Sequence, residues 1–199
     1  MSGIGVTIEN RSDGIRANVT TDGQLSVQAE TLSLQHYISA YNANAYQVIG
    51  TTTISATANT ILHLKNTDTE NSLVVSYIRM GVIDPAGGTA LPSANTYFSM
   101  GYGTTYTSGG TAATAINTNA RSGNTASVDA YQGSPVVGGT YRELDRRYVK
   151  AEGDEYTYSK DGSLILGLNN TFEIRLQSDH TSGTAIARAT FMMIPRVSR

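Results

Sequence analysis

Three consecutive stretches decide the fold: Thr60-Ile-Leu-His-Leu-Lys65, the polar turn Asn66-Thr-Asp-Thr-Glu-Asn71, and Leu73-Val-Val-Ser-Tyr-Ile-Arg-Met-Gly-Val-Ile83. Two apolar runs joined by a short polar loop predict a β-hairpin. Asp84-Pro85-Ala-Gly-Gly88 predicts the end of this hairpin, because proline lacks a ladder donor and glycine readily adopts positive φ. We therefore expect a sheet whose strands are joined by short turns.

Further strand patterns lie on both sides of this hairpin. The Gly- and Thr-rich middle section, 89–139, predicts the loop-rich end of the domain, with short strands at Thr96–Gly101, Ala112–Asn117 and Thr125–Tyr131. Longer strands are predicted at Tyr46–Ile54, Gly138–Lys150, Glu155–Ser159, Ser163–Leu168, Thr171–Gln177 and Thr184–Pro195. Roughly eight to ten strands without a long helix or a fixed repeat favour an all-β fold, a jelly-roll-like antiparallel β-sandwich.

The first 45 residues differ from the rest. The extended piece Ala17–Val19 and the alternating Leu25-Ser-Val27-Gln-Ala29 flank the turn Thr21-Asp22-Gly23, which predicts a hairpin within an extended N-terminal arm. The pattern over 32–41 fits a short helix or a strand equally well. We expect residues 1–45 to form the arm and residues 46–199 to form the β-sandwich domain.

Composition excludes several classes of protein. The chain has 26 Thr and 20 Gly, a formal charge of −2 and 15% charged residues, whereas an average globular domain has about 25%. The near-neutral charge argues against binding nucleic acid along its phosphates. Without cysteine there is no disulfide or thiolate metal site. No stretch approaches the length of a membrane span, and the N-terminal residues lack the pattern of a signal peptide, so we expect synthesis in the cytoplasm.

The ingredients of a catalytic site are few. The only histidines are His36, His63 and His180, and the alternation around His63 predicts a surface or core-edge position. Ser178-Asp179-His180 contains the residue types of a hydrolytic triad, but consecutive residues rarely converge, so a solvated hairpin loop is expected. Acidic clusters at 68–70 and 152–155 leave a calcium site as an alternative, but neither cluster has the residue pattern of a calcium loop. We predict a non-enzymatic protein without a metal or cofactor.

Two features indicate contact surfaces. The chain's densest charge lies in Arg142-Glu-Leu-Asp-Arg-Arg-Tyr-Val-Lys150, whose mixed signs suit either solvated surface or a subunit contact. With the alternating residues of the arm, the candidate subunit or capsid contacts are Leu25, Val27, Arg142, Asp145, Arg146 and Arg147. There are also 12 Tyr against 3 Phe and no Trp, and tyrosine suits protein contacts and carbohydrate-binding surfaces. The candidate exposed loop aromatics are Tyr97, Tyr102, Tyr106 and Tyr131.

Several of these stretches together resemble structural proteins of tailed-bacteriophage particles. The stretches are Asp22-Gly-Gln-Leu-Ser-Val27, Leu62-His-Leu-Lys-Asn-Thr67, Leu73-Val-Val-Ser-Tyr-Ile78 and Asn170-Thr-Phe-Glu-Ile-Arg-Leu176. The resemblance implies a capsid decoration (cement) subunit of the virion: a homotrimer of jelly rolls, assembled in the host cytoplasm, that binds the major capsid protein or other virion proteins. The N-terminal arm is then expected to anchor the subunit to a neighbour.

Three alternatives remain open from sequence. A neck, tail or fibre component selects for the same β-rich surface. A carbohydrate-binding β-sandwich module uses exposed Tyr together with Asn and Asp in loops. A polysaccharide-degrading enzyme needs two carboxylates at a suitable separation, and the spacing of the sequence identifies no such pair.

Overall fold

The chain divides into two units, Met1–Ser33 and Leu34–Arg199. A computed structural model describes residues 43–83, 95–150 and 155–196, together with 18–19, 25–26 and 38. In the first unit, strand β1 (Asn18–Val19) pairs antiparallel with β2 (Leu25–Ser26), so the predicted hairpin is confirmed. The arm boundary at residue 45 and its anchoring role stay predictions, and the segment 32–41 lies outside the described residues except for Ile38.

In the described part of the second unit, the strands form two antiparallel sheets packed against each other. The five-stranded sheet has the order β11-β5-β13-β3-β8. Its strands are β3 (Ala45–Thr53), β5 (Asn71–Ile83), β8 (Ile116–Asn117), β11 (Glu155–Leu166) and β13 (Thr184–Pro195). The six-stranded sheet has the order β10-β6-β12-β4-β9-β7. Its strands are β4 (Asn59–Asn66), β6 (Tyr97–Ser108), β7 (Thr111–Ala112), β9 (Val128–Gln132), β10 (Val136–Tyr148) and β12 (Thr171–Gln177).

The long strands follow the connectivity of a jelly roll. Without the short β7, β8 and β9, each sheet keeps four strands, in the orders β11-β5-β13-β3 and β10-β6-β12-β4. Along the chain these eight strands change sheet at every step except from β6 to β10. Eight strands alternating between two antiparallel sheets are the jelly-roll architecture. The predicted all-β, jelly-roll-like sandwich is therefore confirmed.

Two predicted hairpins are wrong for the same reason. The runs at 60–65 and 73–83 become β4 and β5, which lie in opposite sheets, and the loop after Gln177 likewise connects β12 and β13 of different sheets. The side chain of Asn66 stabilises the first crossing, because its Nδ2 donates to the carbonyls of Asn71 (3.1 Å) and Leu166 (2.8 Å). A local pattern shows where a strand ends, but it does not show which sheet the next strand joins.

The core lies between the sheets and follows the alternation of the strands. In β12 the core residues are Phe172, Ile174 and Leu176, all fully buried. In β13 the buried positions include the small residues Ala185, Ala187 and Ala189. The largest fully buried side chains are Tyr46, Phe98, Phe172, Phe191, Ile54, Ile61, Leu62, Leu64, Leu73, Ile78, Met80 and Met100.

The long insertion between β6 and β10 closes one side of the sandwich. It contains β7, β8 and β9, of which β8 pairs with β3 and β9 pairs with β4, so it covers the outer strand of each four-stranded set. The middle section, which was predicted to be loop-rich with short strands, therefore supplies short strands that extend both sheets. On the opposite side, β10 and β11 are the edge strands of their sheets.

Candidate interaction surface

The edge strand β10 carries most of the charge cluster predicted from sequence. Among the described strands it pairs only with β6, and its side chains are exposed or half-buried along its length. Its pairing is interrupted by three register shifts, one between Glu143 and Asp145. Charged side chains and bulges on an edge strand disfavour indiscriminate pairing with another chain. A partner at this edge is therefore expected to contact side chains instead of extending the sheet.

Tyrosine and arginine side chains pack together on the outer side of this edge. The guanidinium of Arg146 lies 4.1 Å from the ring centroid of Tyr97, and the rings of Tyr97 and Tyr148 are 5.5 Å apart. Arg146 also makes two hydrogen bonds to the carboxylate of Glu143, both 2.9 Å long. We call Tyr97, Glu143, Arg146 and Tyr148 the Tyr–Arg surface. Tyrosine and arginine are the residue types enriched at the energetic centres of protein interfaces.

The other predicted charges of β10 lie on a different side of the strand. Arg147 and Asp145 form an ion pair of 2.9 Å, and Arg147 is opposite the core residue Phe98 in the register. Burial raises the pKa of Tyr158 in β11, while the Asp145 carboxylate raises it further and Arg147 lowers it. The pair therefore lies where β10 approaches β11, at the open edge between the sheets.

The four predicted tyrosines all lie in strands instead of loops. Tyr97 belongs to the Tyr–Arg surface, and Tyr102 is exposed beside Arg142, whose guanidinium carbon is 6.0 Å from its ring centroid. Tyr106 and Tyr131 stack on each other with centroids 3.6 Å apart and an angle of 3° between the rings. Of the predicted contacts in the arm, Leu25 lies in β2 and Val27 lies outside the described residues.

A buried polar cluster lies on the outer face of the six-stranded sheet. Glu173 is fully buried although alternation directs it away from the core residues of β12. Its carboxylate accepts hydrogen bonds from the Thr60 hydroxyl, from the Thr104 hydroxyl (2.7 Å), and from Nε (2.6 Å) and Nη2 (2.9 Å) of Arg175. With His63, these residues form what we call the buried cluster. Four donors around one carboxylate compensate for its removal from water.

The cluster is buried because β6 and β10 bend over the sheet. Gly103 has a φ of +92°, and the pairing shifts register between Gly139 and Arg142. Beyond this point, Thr104–Ser108 and Val136–Gly139 form a two-stranded segment that we call the ribbon. Tyr106 of the ribbon stacks on Tyr131 of β9, although β12 and β4 separate β6 from β9 within the sheet. The ribbon therefore crosses both of these strands.

Tyr141 covers the cluster on the side of β10. Its ring lies above Gly101, where an added Cβ would be 2.6 Å from the ring and 2.5 Å from the Arg142 carbonyl oxygen. The hydroxyl of Tyr141 donates to Oγ of Ser99 at 3.0 Å, and the guanidinium of Arg175 stacks 3.9 Å from the ring centroid. Burial raises the pKa of Tyr141 to about 12, so the hydroxyl stays protonated.

His63 is fully buried under the ribbon, which places it deeper than the predicted surface or core-edge position. Its Nε2 is 3.5 Å from the carbonyl oxygen of Thr104, and its Nδ1 has no hydrogen-bond partner among the described residues. Burial lowers the pKa of His63, against the smaller opposing effects of the Thr104 carbonyl and Glu173. The ring is therefore neutral in the folded protein near pH 7.

The predicted alternatives with catalytic or metal-binding chemistry have other roles where the structure describes them. The Ser178 hydroxyl contacts the Thr96 hydroxyl (3.0 Å) and accepts from the backbone N–H of His180 (3.1 Å), which is not a triad arrangement. The carboxylate of Asp68 accepts backbone N–H groups of its own turn, and Glu155 pairs with Arg79. Among the described residues, no group of three or more His, Asp or Glu is placed to hold a metal.

Sequence reasoning missed the buried cluster. The only local signal was the spacing of Glu173 and Arg175, which puts both on one face of a strand. In the described part of the chain, no helix is long and apolar enough to cross a membrane. Comparison with protein-family models found no family that matches the chain, and comparison with characterised proteins found no similar sequence. The resemblance to phage structural proteins therefore stays a prediction.

Proposed function

We propose that this protein is a non-enzymatic structural subunit of a tailed-phage particle, which binds the capsid surface as a decoration subunit. The observation that carries the proposal is the Tyr–Arg surface on the edge strand of a jelly roll. Jelly rolls occur in viral capsid proteins, in lectins and in cupins. Because one fold serves many functions, the proposal rests on the surface and not on the fold alone.

The Tyr–Arg surface has the properties of a contact site that is ordered before binding. Tyr97 is held between Arg146 and Tyr148, and Glu143 fixes the guanidinium of Arg146. Fixing these side chains in advance lowers the entropy that is lost when a partner binds. The exposed guanidinium and carboxylate also favour a partner with complementary charges, which increases specificity and the rate of association.

The homotrimer and the anchoring arm belong to the same proposal and derive from the sequence resemblance. Exposed apolar side chains elsewhere on the sandwich, such as Val136 and Leu144, provide area for contacts between subunits. A neck, tail or fibre position requires the same kinds of surface. Which of these positions the protein occupies therefore depends on the component of the particle that it binds.

The test is light scattering of the purified full chain, followed by co-sedimentation with phage capsids stripped of surface proteins and, separately, with isolated tails. We expect a mass near three times 21.1 kDa and sedimentation with capsids. A monomer that stays in the supernatant with both particles would overturn the proposal. Sedimentation with tails alone would replace the capsid by a tail position.

Matched variants then locate the contact. Tyr148→Ala and Arg146→Ala alter the Tyr–Arg surface, whereas Tyr77→Ala and Arg188→Ala alter half-buried residues on the outer face of the five-stranded sheet. We expect the first two to weaken capsid binding and the second two to leave it unchanged. Equal effects of both pairs would show that β10 is not the contact.

A further inference from the structure

A cleft of about 390 Å³ lies at the edge of the sandwich, where β6 of one sheet comes near β11 of the other. Its walls are Tyr102–Thr105 of β6, Leu164–Leu166 of β11, and Asn169–Thr171 at the turn into β12. Apart from Gly103, the described lining residues are aromatic, aliphatic, hydroxyl-bearing or amide-bearing, and none of them is charged. The cleft is distinct from the Tyr–Arg surface, which lies on the outer side of β6.

The asparagines of the cleft differ from most of those in other loops. The side chains of Asn66, Asn71 and Asn117 hydrogen-bond to neighbouring parts of the chain and thereby hold loops in place. In the part of the chain that the structure describes, no hydrogen bond is made by the side-chain amides of Asn169 and Asn170. The hydroxyl of Tyr102 likewise makes no hydrogen bond to the described residues. Hydrogen-bonding groups of three residues therefore meet at one cleft without a structural role.

The turn that carries the two amides is rigid. The backbone N–H of Asn169 donates to the Asn66 carbonyl (2.8 Å), and the N–H of Asn66 donates to the Asn170 carbonyl (3.1 Å). Asn66 is itself fully buried. Asn169 has a φ of +63°, a left-handed conformation that asparagine tolerates better than most residues. The amides are thus presented from a fixed platform, which is a requirement of a pre-formed binding site.

The opposite wall is fixed by the buried cluster. The Thr104 hydroxyl donates to Glu173, and the Thr171 hydroxyl donates to the Thr104 carbonyl at 2.6 Å. These two hydroxyls are therefore occupied, and Tyr102, Thr105 and the two asparagines are left to contact a ligand. Tyr102 is 38% exposed, so a substantial part of its side chain is accessible.

We propose that this cleft binds a neutral saccharide. A sugar ring has an apolar C–H face, which packs on an aromatic ring, and hydroxyl groups, which exchange hydrogen bonds with amides and hydroxyls. The exposed Tyr102 ring and the side chain of Ile165 supply apolar contacts, and the two amides supply donors and acceptors. No described residue of the lining is charged, so none of them compensates for the carboxylate of an acidic sugar that loses water, which favours a neutral sugar. Arg142 lies beside the Tyr102 ring but is not among the described lining residues.

The experiment is a screen of the full chain on a printed array of neutral and acidic oligosaccharides, followed by titration of the best neutral ligand in solution, monitored by NMR. We expect saturable binding to neutral hexose- or N-acetylhexosamine-containing ligands, with resonances of the cleft residues shifting. Tyr102→Ala and Asn170→Ala should each weaken binding by about tenfold or more, which corresponds to roughly 1.4 kcal/mol. Tyr77→Ala, which removes a half-buried tyrosine on the outer face of the five-stranded sheet, outside both the cleft and the Tyr–Arg surface, is the matched control and should bind like the unmodified protein.

Three results would overturn the proposal: no neutral glycan bound on the array, a preference for acidic glycans, or a loss of binding in Tyr77→Ala equal to that in Tyr102→Ala. Thermal unfolding of each variant confirms that it is folded before its affinity is interpreted. The saccharide proposal is independent of capsid binding, because co-sedimentation with capsids and glycan binding are measured separately.

Discussion

Arg175→Met tests whether the buried cluster stabilises the fold. The substitution removes two hydrogen bonds of 2.6 and 2.9 Å and the only cation paired with Glu173 among the described residues. The Glu173 side chain is 0% exposed and that of Arg175 is 22% exposed. Breaking a buried ion pair by removing one partner costs about 3–5 kcal/mol, because the remaining charge is uncompensated. For a chain of this size, that corresponds to a decrease in Tm of roughly 6–20 °C.

The chain offers a closely matched control in Arg146→Met. Arg146 also makes two hydrogen bonds to one carboxylate and stacks on a tyrosine ring, 4.1 Å from its centroid against 3.9 Å for Arg175. It differs in exposure, since the side chains of Arg146 and Glu143 are 39% and 35% exposed. Exposed ion pairs contribute little to stability, so the control should unfold almost like the unmodified protein.

The assay is urea unfolding of the full chain and both variants at pH 7, followed by circular dichroism and by tyrosine fluorescence. Coincident transitions show that unfolding is two-state and that the free energies can be compared. If Arg175→Met lost no more stability than Arg146→Met, burial of the cluster would not have the energetic role argued from its contacts. Replacing Glu173 by Leu in the Arg175→Met variant should recover part of the loss, because no unpaired charge then remains.

Three other perturbations test the parts around this cluster. Burial lowers the pKa of His63 below its usual 6.5, so the stability due to its neutral form is complete above that pH and declines as pH falls. His63→Gln should therefore flatten the pH dependence of the free energy of unfolding between about pH 8 and pH 5. An unchanged slope would contradict the assigned burial. Gly101→Ala puts a Cβ 2.6 Å from the Tyr141 ring and should destabilise the protein by about 1–3 kcal/mol in the same urea assay; an unchanged midpoint would show that Tyr141 does not lie there. Tyr106→Ala removes the stack on Tyr131 and should increase hydrogen exchange in the ribbon while leaving the β12 amides protected. Unchanged exchange in the ribbon would show that the stack does not hold the ribbon in place.

The sequence predicted the fold because its long strands have clear patterns. In β12, apolar residues alternate with polar ones, and the jelly roll buries the apolar set. In β13, buried positions alternate with more exposed ones as far as Thr190. The two wrong hairpins show the limit of this reasoning. A polar loop such as 67–70 ends β4 and starts β5 in either arrangement, and the choice between one sheet and two depends on distant contacts. Asn66 bonds to Leu166, 100 positions away.

The contact surface was partly predictable and the buried cluster was not. The mixed charges of 142–150 were visible as a surface feature, but the contact of Tyr97 with Tyr148 depends on the register of β6 against β10. The burial of Glu173 depends on a ribbon that bends at Gly103 and shields a sheet face that alternation alone would leave in water. From sequence alone, a charged residue in a strand is predicted to be exposed, because the element that covers it is not known.

The strand β6 connects the two sites proposed for this protein. Before Gly103 it presents Tyr97 to the outer side, next to β10, and at Gly103 it bends into the ribbon whose Thr104 forms part of the cleft wall. A partner bound along the outer side of β10 and a saccharide between the sheets therefore approach from different sides. Tyr102 of the cleft lies beside Arg142 of β10. Since neither of these residues belongs to the Tyr–Arg surface, the geometry allows the two contacts to be made by one subunit at the same time.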